Sequence, residues 1–267
     1  MATAVFFHAH PDDESMLTGG VMAKAAADGH RVVLCVATNG ELGEAPDDLA
    51  PGERLADRRA AELACSARVL GVARVVRLGY HDSGMEGWPQ NEDDHAFCRV
   101  PVEEAASRLA DVLREEAADV LVVYDRQGMY GHPDHVQVHR VGVRAAELAA
   151  TPVVYEATVN RDLILQWAAE AAAAGEPLEG FDEFTDDTPF GLREHELTTA
   201  VDVRDFLEHK RSSLSCHASQ VSDVTFLLGF PPDRFVQAFG TEWFVRRGAP
   251  PGLHERALAG LDGPGAP

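Results

Sequence analysis

The sequence predicts an α/β fold in which a mostly parallel sheet carries helices on both faces. Two observations support this. Short apolar, β-branched runs alternate with longer stretches of helical period through the first half of the chain, the pattern of successive βαβ units. In addition, two words nearly repeat each other, His10-Pro11-Asp12-Asp13 and His132-Pro133-Asp134-His135, and each stands between such a run and a helical stretch. Right-handed crossovers bring the preceding strand ends to one edge of the sheet, where open α/β folds place their ligands.

The elements follow in order. Residues 4–7 read as a strand and residues 14–28 as a helix closed by Gly29, because glycine past a helix end accepts the left-handed conformation that stops it. Residues 31–37 are a second strand, 51–70 a helix stopped by Gly71, and 72–78 a third strand. A helix over 102–118 and a strand over 120–124 precede the second word; a helix over 135–150 and a short strand over 153–155 follow. Beyond that point the pattern loosens. Residues 160–174 read as a helix. Residues 175–187 hold six acidic side chains and neither Lys nor Arg, which suits a solvated loop or a lid over the site (176–187). Residues 201–219 read as a helix, with Asp202 placed to offset its N-terminal dipole, and residues 241–246 as a last strand. A single domain over residues 1–250 accounts for all of this, and the Gly-, Pro- and Ala-rich segment 251–267 reads as a flexible tail.

Composition narrows the function. A net charge of −21 argues against nucleic acid or an anionic membrane as partner, since both require basic surface. No apolar stretch approaches the ~20 residues of a membrane span, and the first one runs at once into His8, His10 and Asp12 rather than into a leader pattern. The expectation is a soluble, cytoplasmic protein acting on a small molecule, with homo-oligomerisation left open. Cys35, Cys65, Cys98 and Cys216 are scattered without a Cys-x-x-Cys pair and read as reduced thiols.

The two words carry chemistry. Imidazole and carboxylate are the ligands that borderline divalent ions take. His10 precedes a proline and is therefore held extended, so that Asp13 can face the same side as the chain turns into the helix. His132 and His135 have the same opportunity. Catalytic zinc keeps three protein ligands and an open position, whereas four close the site; spacing alone leaves His132 open as a fourth. A nucleotide-dependent oxidoreductase is disfavoured, because the first strand leads into His-Pro-Asp-Asp-Glu and not Gly-x-Gly-x-x-Gly. A metal-dependent phosphoesterase using the same ligand types stays as a rival.

His8-Ala9-His10-Pro11-Asp12-Asp13-Glu14 together with Gly131-His132-Pro133-Asp134-His135 resembles the LmbE/PIG-L family of metal-dependent N-deacetylases. Looser matches are Thr38-Asn39-Gly40-Glu41-Leu42-Gly43, Arg59-Ala60-Ala61-Glu62-Leu63, Asp82-Ser83-Gly84-Met85 and His217-Ala218-Ser219-Gln220-Val221. The resemblance implies a Rossmann-like, LmbE-like fold and a hydrolase of linear amides. On that resemblance His10, Asp13 and His135 are metal ligands, Asp12 the general base and His132 the second catalytic residue. Asp134 orients a histidine, and Arg59, Asp82 and Tyr130 contact the sugar or the reacting carbonyl. His8 is expected in packing or in support behind the ligands, not as a ligand itself. Two histidines and an aspartate suit Zn2+, with Fe2+ or Co2+ also acceptable. N-acetylglucosamine-type glycosides are the leading substrates, followed by thiol conjugates cleaved by an amidase and by secondary metabolites trimmed by a tailoring deacetylase. Asp125-Arg126-Gln127-Gly128-Met129, ahead of Tyr130, departs from the glycine-rich loop of the inositol-glycoside deacetylases.

Overall fold

The computed structural model describes residues 1–174 and 190–261. The acidic segment read as a loop or lid lies outside them, as does the end of the chain from residue 262. Strands β1 (Thr3–His8), β2 (Arg31–Thr38), β3 (Arg74–Tyr80), β4 (Val120–Tyr124) and β5 (Val153–Thr158) run parallel. Two antiparallel strands, β6 (Thr199–Asp202) and β7 (Thr241–Arg246), extend the sheet beyond β5. The order among the described residues is β3-β2-β1-β4-β5-β7-β6.

Both faces are covered, which is why the central strands read as unbroken apolar runs. Val5, Phe7, Val33, Leu121 and Val123 share one core with α4 (Val102–Glu115) and α6 (Pro133–Ala149). Ala4, Phe6, Val32, Leu34 and Val122 point the other way, toward Val21 and Met22 of α2 (Gly19–Ala27) and Leu63 of α3 (Leu55–Val69). Alternate residues of one strand therefore hold two helical layers in place.

The structure corrects the sequence reading in four places. The first helix is broken at Thr18 into α1 (Asp13–Leu17) and α2, because Glu242 reaches in from β7 to accept the Gly20 and Val21 N–H groups at 2.8 Å each and so satisfies a second helix start. Residues 201–202 are strand, drawn into pairing with β7, and the following helix α8 is only Leu207–Cys216. The tail does not fray through residue 261: Leu258 and Leu261 are buried in the core, and the Tyr155 hydroxyl donates to Glu255 at 2.7 Å. Cys65 and Cys216 are not free thiols but a disulfide with Cα atoms 5.8 Å apart, tying α3 to α8; Cys35 and Cys98 are free. The remaining α-helices among the described residues are α5 (Gly128–Gly131), α7 (Arg161–Ala174), α9 (Val221–Leu228) and α10 (Pro232–Phe239), joined by four short 3-10 turns. No helix among these residues is long and apolar enough to cross a membrane.

Candidate active site

β1 has β2 on one side and β4 on the other, so connections leave its carboxyl end and that of β4 in opposite directions. This is the crevice where doubly wound sheets bind ligands, and each His-Pro-Asp word leaves one of its two strands. After β1 the backbone turns sharply at Asp12 (φ 124°, ψ −33°) before α1 begins, a conformation few non-glycine residues adopt. The Asp12 side chain makes no capping bond to that helix. After β4 the Asp125 carboxylate accepts from the N–H of Gln127 (2.8 Å), the N–H of Met129 (3.1 Å) and the hydroxyl of Thr158 (2.5 Å). That carboxylate holds the loop carrying Tyr130. His132 then starts α6, its Nδ1 accepting the Asp134 N–H at 3.1 Å.

These turns gather the ligand-type side chains. Ring nitrogens of His10, His132 and His135 lie within 4.8 Å of one another. Asp13 stands between two of them, Oδ2 at 3.5 Å from His10 Nδ1 and Oδ1 at 3.4 Å from His135 Nε2. Donors of one ion, each bonded at ~2.0–2.2 Å, are separated by distances of that size. His135 is fully buried, and neither of its ring nitrogens has a hydrogen-bond partner among the described residues. Buried polar atoms are normally satisfied, so the orphaned imidazole fits a bound cation. His10 turns its Nε2 the other way, 3.2 Å from Asp134 Oδ2 and 3.5 Å from Asp82 Oδ1. Asp134 is itself fixed by the backbone N–H (2.9 Å) and the hydroxyl of Ser83.

Charge follows geometry. Burial works against an ionised Asp13, but His135 and His10 hold its carboxyl well below the usual range. Burial also opposes a charged His10, yet Asp82, Asp13 and Asp134 raise it well above an ordinary histidine. His132 goes the other way, lowered to about 4 by burial and by His10. Asp12 is raised to about 6, burial outweighing the Arg59 guanidinium beside it.

The family model described as PIG-L, GlcNAc-PI de-N-acetylase, matches residues 5–146, a stretch that includes both words. The chain belongs to this family. It is 38% identical over 271 residues to the 1D-myo-inositol 2-acetamido-2-deoxy-alpha-D-glucopyranoside deacetylase of Thermomonospora curvata, covering 93% of this chain and 91% of that one. Its fold is similar to the N,N'-diacetylchitobiose deacetylase of Pyrococcus horikoshii (TM-score 0.57, 23% identity, 91% of this chain and 83% of that one). It is also similar to the 4-carboxy-2-hydroxymuconate hydratase of Pseudomonas putida KT2440 (TM-score 0.61, 19% identity, 95% and 99%). A deacetylase and a hydratase share this architecture, so fold alone does not name the reaction.

Within the PIG-L framework the residues expected from sequence fall into three groups. His10, Asp13, His132, Asp134, His135 and Asp82 converge, all buried. Asp12 and Tyr130 face more open ground: the Asp12 side chain is 17% exposed, and Tyr130, 38% exposed, has its ring 5.0 Å from that of His135. Arg59 is placed behind the site. It is 3% exposed and donates to Asp12 Oδ2 (2.7 Å), the Gly40 carbonyl (2.7 Å) and the Pro11 carbonyl. A Cβ on Gly40 would collide with its guanidinium, which gives the Thr38-Asn39-Gly40 turn a physical reason for its glycine. His8 packs as expected, bonded to the Tyr124 and Thr18 hydroxyls at 3.0 and 2.9 Å. Sequence reasoning gave no role to Glu14, Ser83, Asp125 or His217. The motifs containing Glu14, Ser83 and His217 were legible, but nothing local shows that Ser83 meets Asp134 across 51 residues or that His217 meets Glu14 across 203.

Proposed function

We propose that the chain is a metal-dependent N-deacetylase that hydrolyses the acetamide of a small N-acetylglucosamine-type glycoside. The observation that carries this reading is the orphaned imidazole of His135 facing Asp13 and His10, beside a part-exposed Asp12 whose carboxyl is raised to about 6. His10, Asp13 and His135 would hold the ion, and zinc suits two imidazoles and a carboxylate. When bound, such an ion lowers the pKa of water toward ~7 and polarises the amide carbonyl.

The protein's own groups do the rest. Asp12, ionised above about pH 6, takes the proton of the attacking water as the new carbon–oxygen bond forms. His132, neutral because its pKa is lowered to about 4, serves as a hydrogen-bond donor to the carbonyl oxygen through the nitrogen not engaged by Asp134. Tyr130 at the rim can supply a second donor. Protonated Asp12 then returns its proton to the amine nitrogen as the carbon–nitrogen bond breaks, leaving acetate and the free amine. The lowered pKa of His132 favours Asp12 over an imidazolium as that proton source. Asp82, in the wall beside His10, offers a carboxylate to sugar hydroxyls. The activity named for the Thermomonospora curvata relative supports an amino-sugar glycoside over a phosphate ester, even though the loop before Tyr130 departs from the glycine-rich pattern.

The test is an acetate-release screen with zinc-reconstituted protein. N-acetylglucosaminyl-inositol, N,N'-diacetylchitobiose, N-acetylglucosamine and an N-acyl thiol conjugate serve as substrates, with p-nitrophenyl phosphate as the rival and Asp12→Ala as the control. Release from an N-acetyl sugar that Asp12→Ala abolishes is the expected result. No release from any N-acyl compound with metal fully bound, or phosphate release alone, rejects the assignment.

A further inference from the structure

Asp12 occupies a left-handed backbone conformation that is unfavourable for a non-glycine residue, so surrounding contacts must impose it. One of them is unusual. The Asp12 N–H donates to Glu14 Oε2 at 3.0 Å, and Glu14 is wholly buried. A glutamate two residues along could adopt several rotamers; here its other oxygen is held by His217 Nε2 at 2.7 Å and by the hydroxyls of Ser15 (3.0 Å) and Ser66. His217 is also wholly buried, and its remaining nitrogen has no partner among the described residues. The start of the loop bearing His217 is anchored on α3. Cys216 is bonded to Cys65, and Glu62 accepts from the N–H (2.8 Å) and the hydroxyl (2.6 Å) of Ser219. The same helix supplies Ser66 to Glu14 and Arg59 to Asp12.

From this arrangement we propose that Glu14 and His217 are positioning residues for Asp12: His217 fixes the Glu14 carboxylate, and Glu14 fixes the Asp12 backbone so that its carboxylate faces the reacting centre. The proposal rests on the reading of Asp12 as general base. His217 is hydrogen-bonded to Glu14 and not to Asp12, so its hold on the Asp12 backbone passes through Glu14, beside a direct electrostatic attraction between the imidazole and the Asp12 carboxylate.

The experiment is a double-mutant cycle of His217→Leu with Asp12→Ala in the zinc-loaded protein, reading kcat, KM, bound zinc per chain and thermal midpoint. His217→Leu is expected to lower kcat roughly 10- to 100-fold, the size of effect that small misplacements of a reacting group produce, with KM within about twofold and zinc content unchanged. His217→Gln, which keeps a donor toward Glu14, is expected to recover part of the loss, as is Ser66→Thr relative to Ser66→Ala if His217→Leu does not fold. In the Asp12→Ala background, His217→Leu is expected to add no further loss. An equal loss in both backgrounds overturns the proposal, as does a fall in activity fully accounted for by lost zinc. If Asp12→Ala alone is near normal, the general-base reading fails; if Asp12→Ala is inactive and His217→Leu is like the parent, only this proposal does.

Discussion

Replacing Arg59 by methionine separates two roles for that residue. Its guanidinium is buried and makes hydrogen bonds to Asp12, Gly40 and Pro11. Methionine fills much of the stem's volume but offers no donor. The Pro11 carbonyl, at a buried residue, would lose its donor at ~1–3 kcal/mol; the Gly40 carbonyl keeps the Gly43 N–H at 3.2 Å, and the Asp12 carboxylate, 17% exposed, regains some water. These losses share one side chain and do not add, so the total should match the ~3–5 kcal/mol of breaking a buried pair. For a chain of this size that is a fall of roughly 6–20 °C in Tm. There is a catalytic signature as well. Burial already raises the Asp12 carboxyl to about 6 and Arg59 opposes that rise; without Arg59 the value climbs further. The base is then protonated at higher pH, and the acid limb of kcat/KM shifts upward while KM changes little. Arg59→Lys keeps the charge but cannot span three acceptors with one ammonium, and falls between. Differential scanning fluorimetry and a pH–rate profile measure both effects. A tenfold rise in KM with Tm and acid limb unmoved would refute this reasoning and make Arg59 a substrate contact.

Other expected outcomes test neighbouring claims. Asp12→Ala should lower kcat by ~10²–10⁴ while zinc content, measured by mass spectrometry, stays at the parent level; His135→Ala should instead lose the metal. If His135→Ala retained full zinc, His135 could not be a ligand. Stability should depend on the Glu14–His217 pair in a definite pH window. Burial pushes the Glu14 carboxyl up, but His217 and Ser66 bring it down to about 2 from 4.5, so its contribution is complete above 4.5 and fades as pH falls toward 2. That contribution is on the order of 3 kcal/mol. His217, raised above 6.5 by Glu14 against its burial, contributes fully below 6.5 and loses that contribution as pH rises through its folded value. Urea midpoints should therefore drop between pH 5 and pH 3 in the parent and much less in Glu14→Gln; parallel curves would count against the pair. Lys210→Met leaves Glu242 buried with only the Gly20 and Val21 N–H groups in place of the 2.7 Å ammonium contact. It should cost about 3–5 kcal/mol, and a change below 1 kcal/mol in chemical denaturation would show that water replaces the ammonium.

The sequence by itself determined the layered α/β class, the five parallel strands and the sheet edge at which the candidate site residues gather. Each of these follows from local regularities. Unbroken apolar runs must be buried on both faces, glycines stop helices, and a His-Pro-Asp word after a strand can only lie at the sheet's carboxyl edge. Tertiary structure decided what depends on partners distant in sequence. Glu242 splits the first helix because a carboxylate from β7 satisfies the N–H groups of Gly20 and Val21. Residues 201–202 became strand because β7 offered an edge to pair with. Cys65 and Cys216 are bonded because α3 and α8 bring residues 151 positions apart within reach. Arg59 reads in sequence either as an ion-paired helical residue beside Asp57 and Glu62 or, on the resemblance, as a substrate contact, and only the packing of α3 under the first word shows it on Asp12. The two echoing words announced a site. The side chains that hold Asp12 in its strained turn came from Glu14 two residues away, from α3, and from the end of α8, and no spacing rule connects the last two to it.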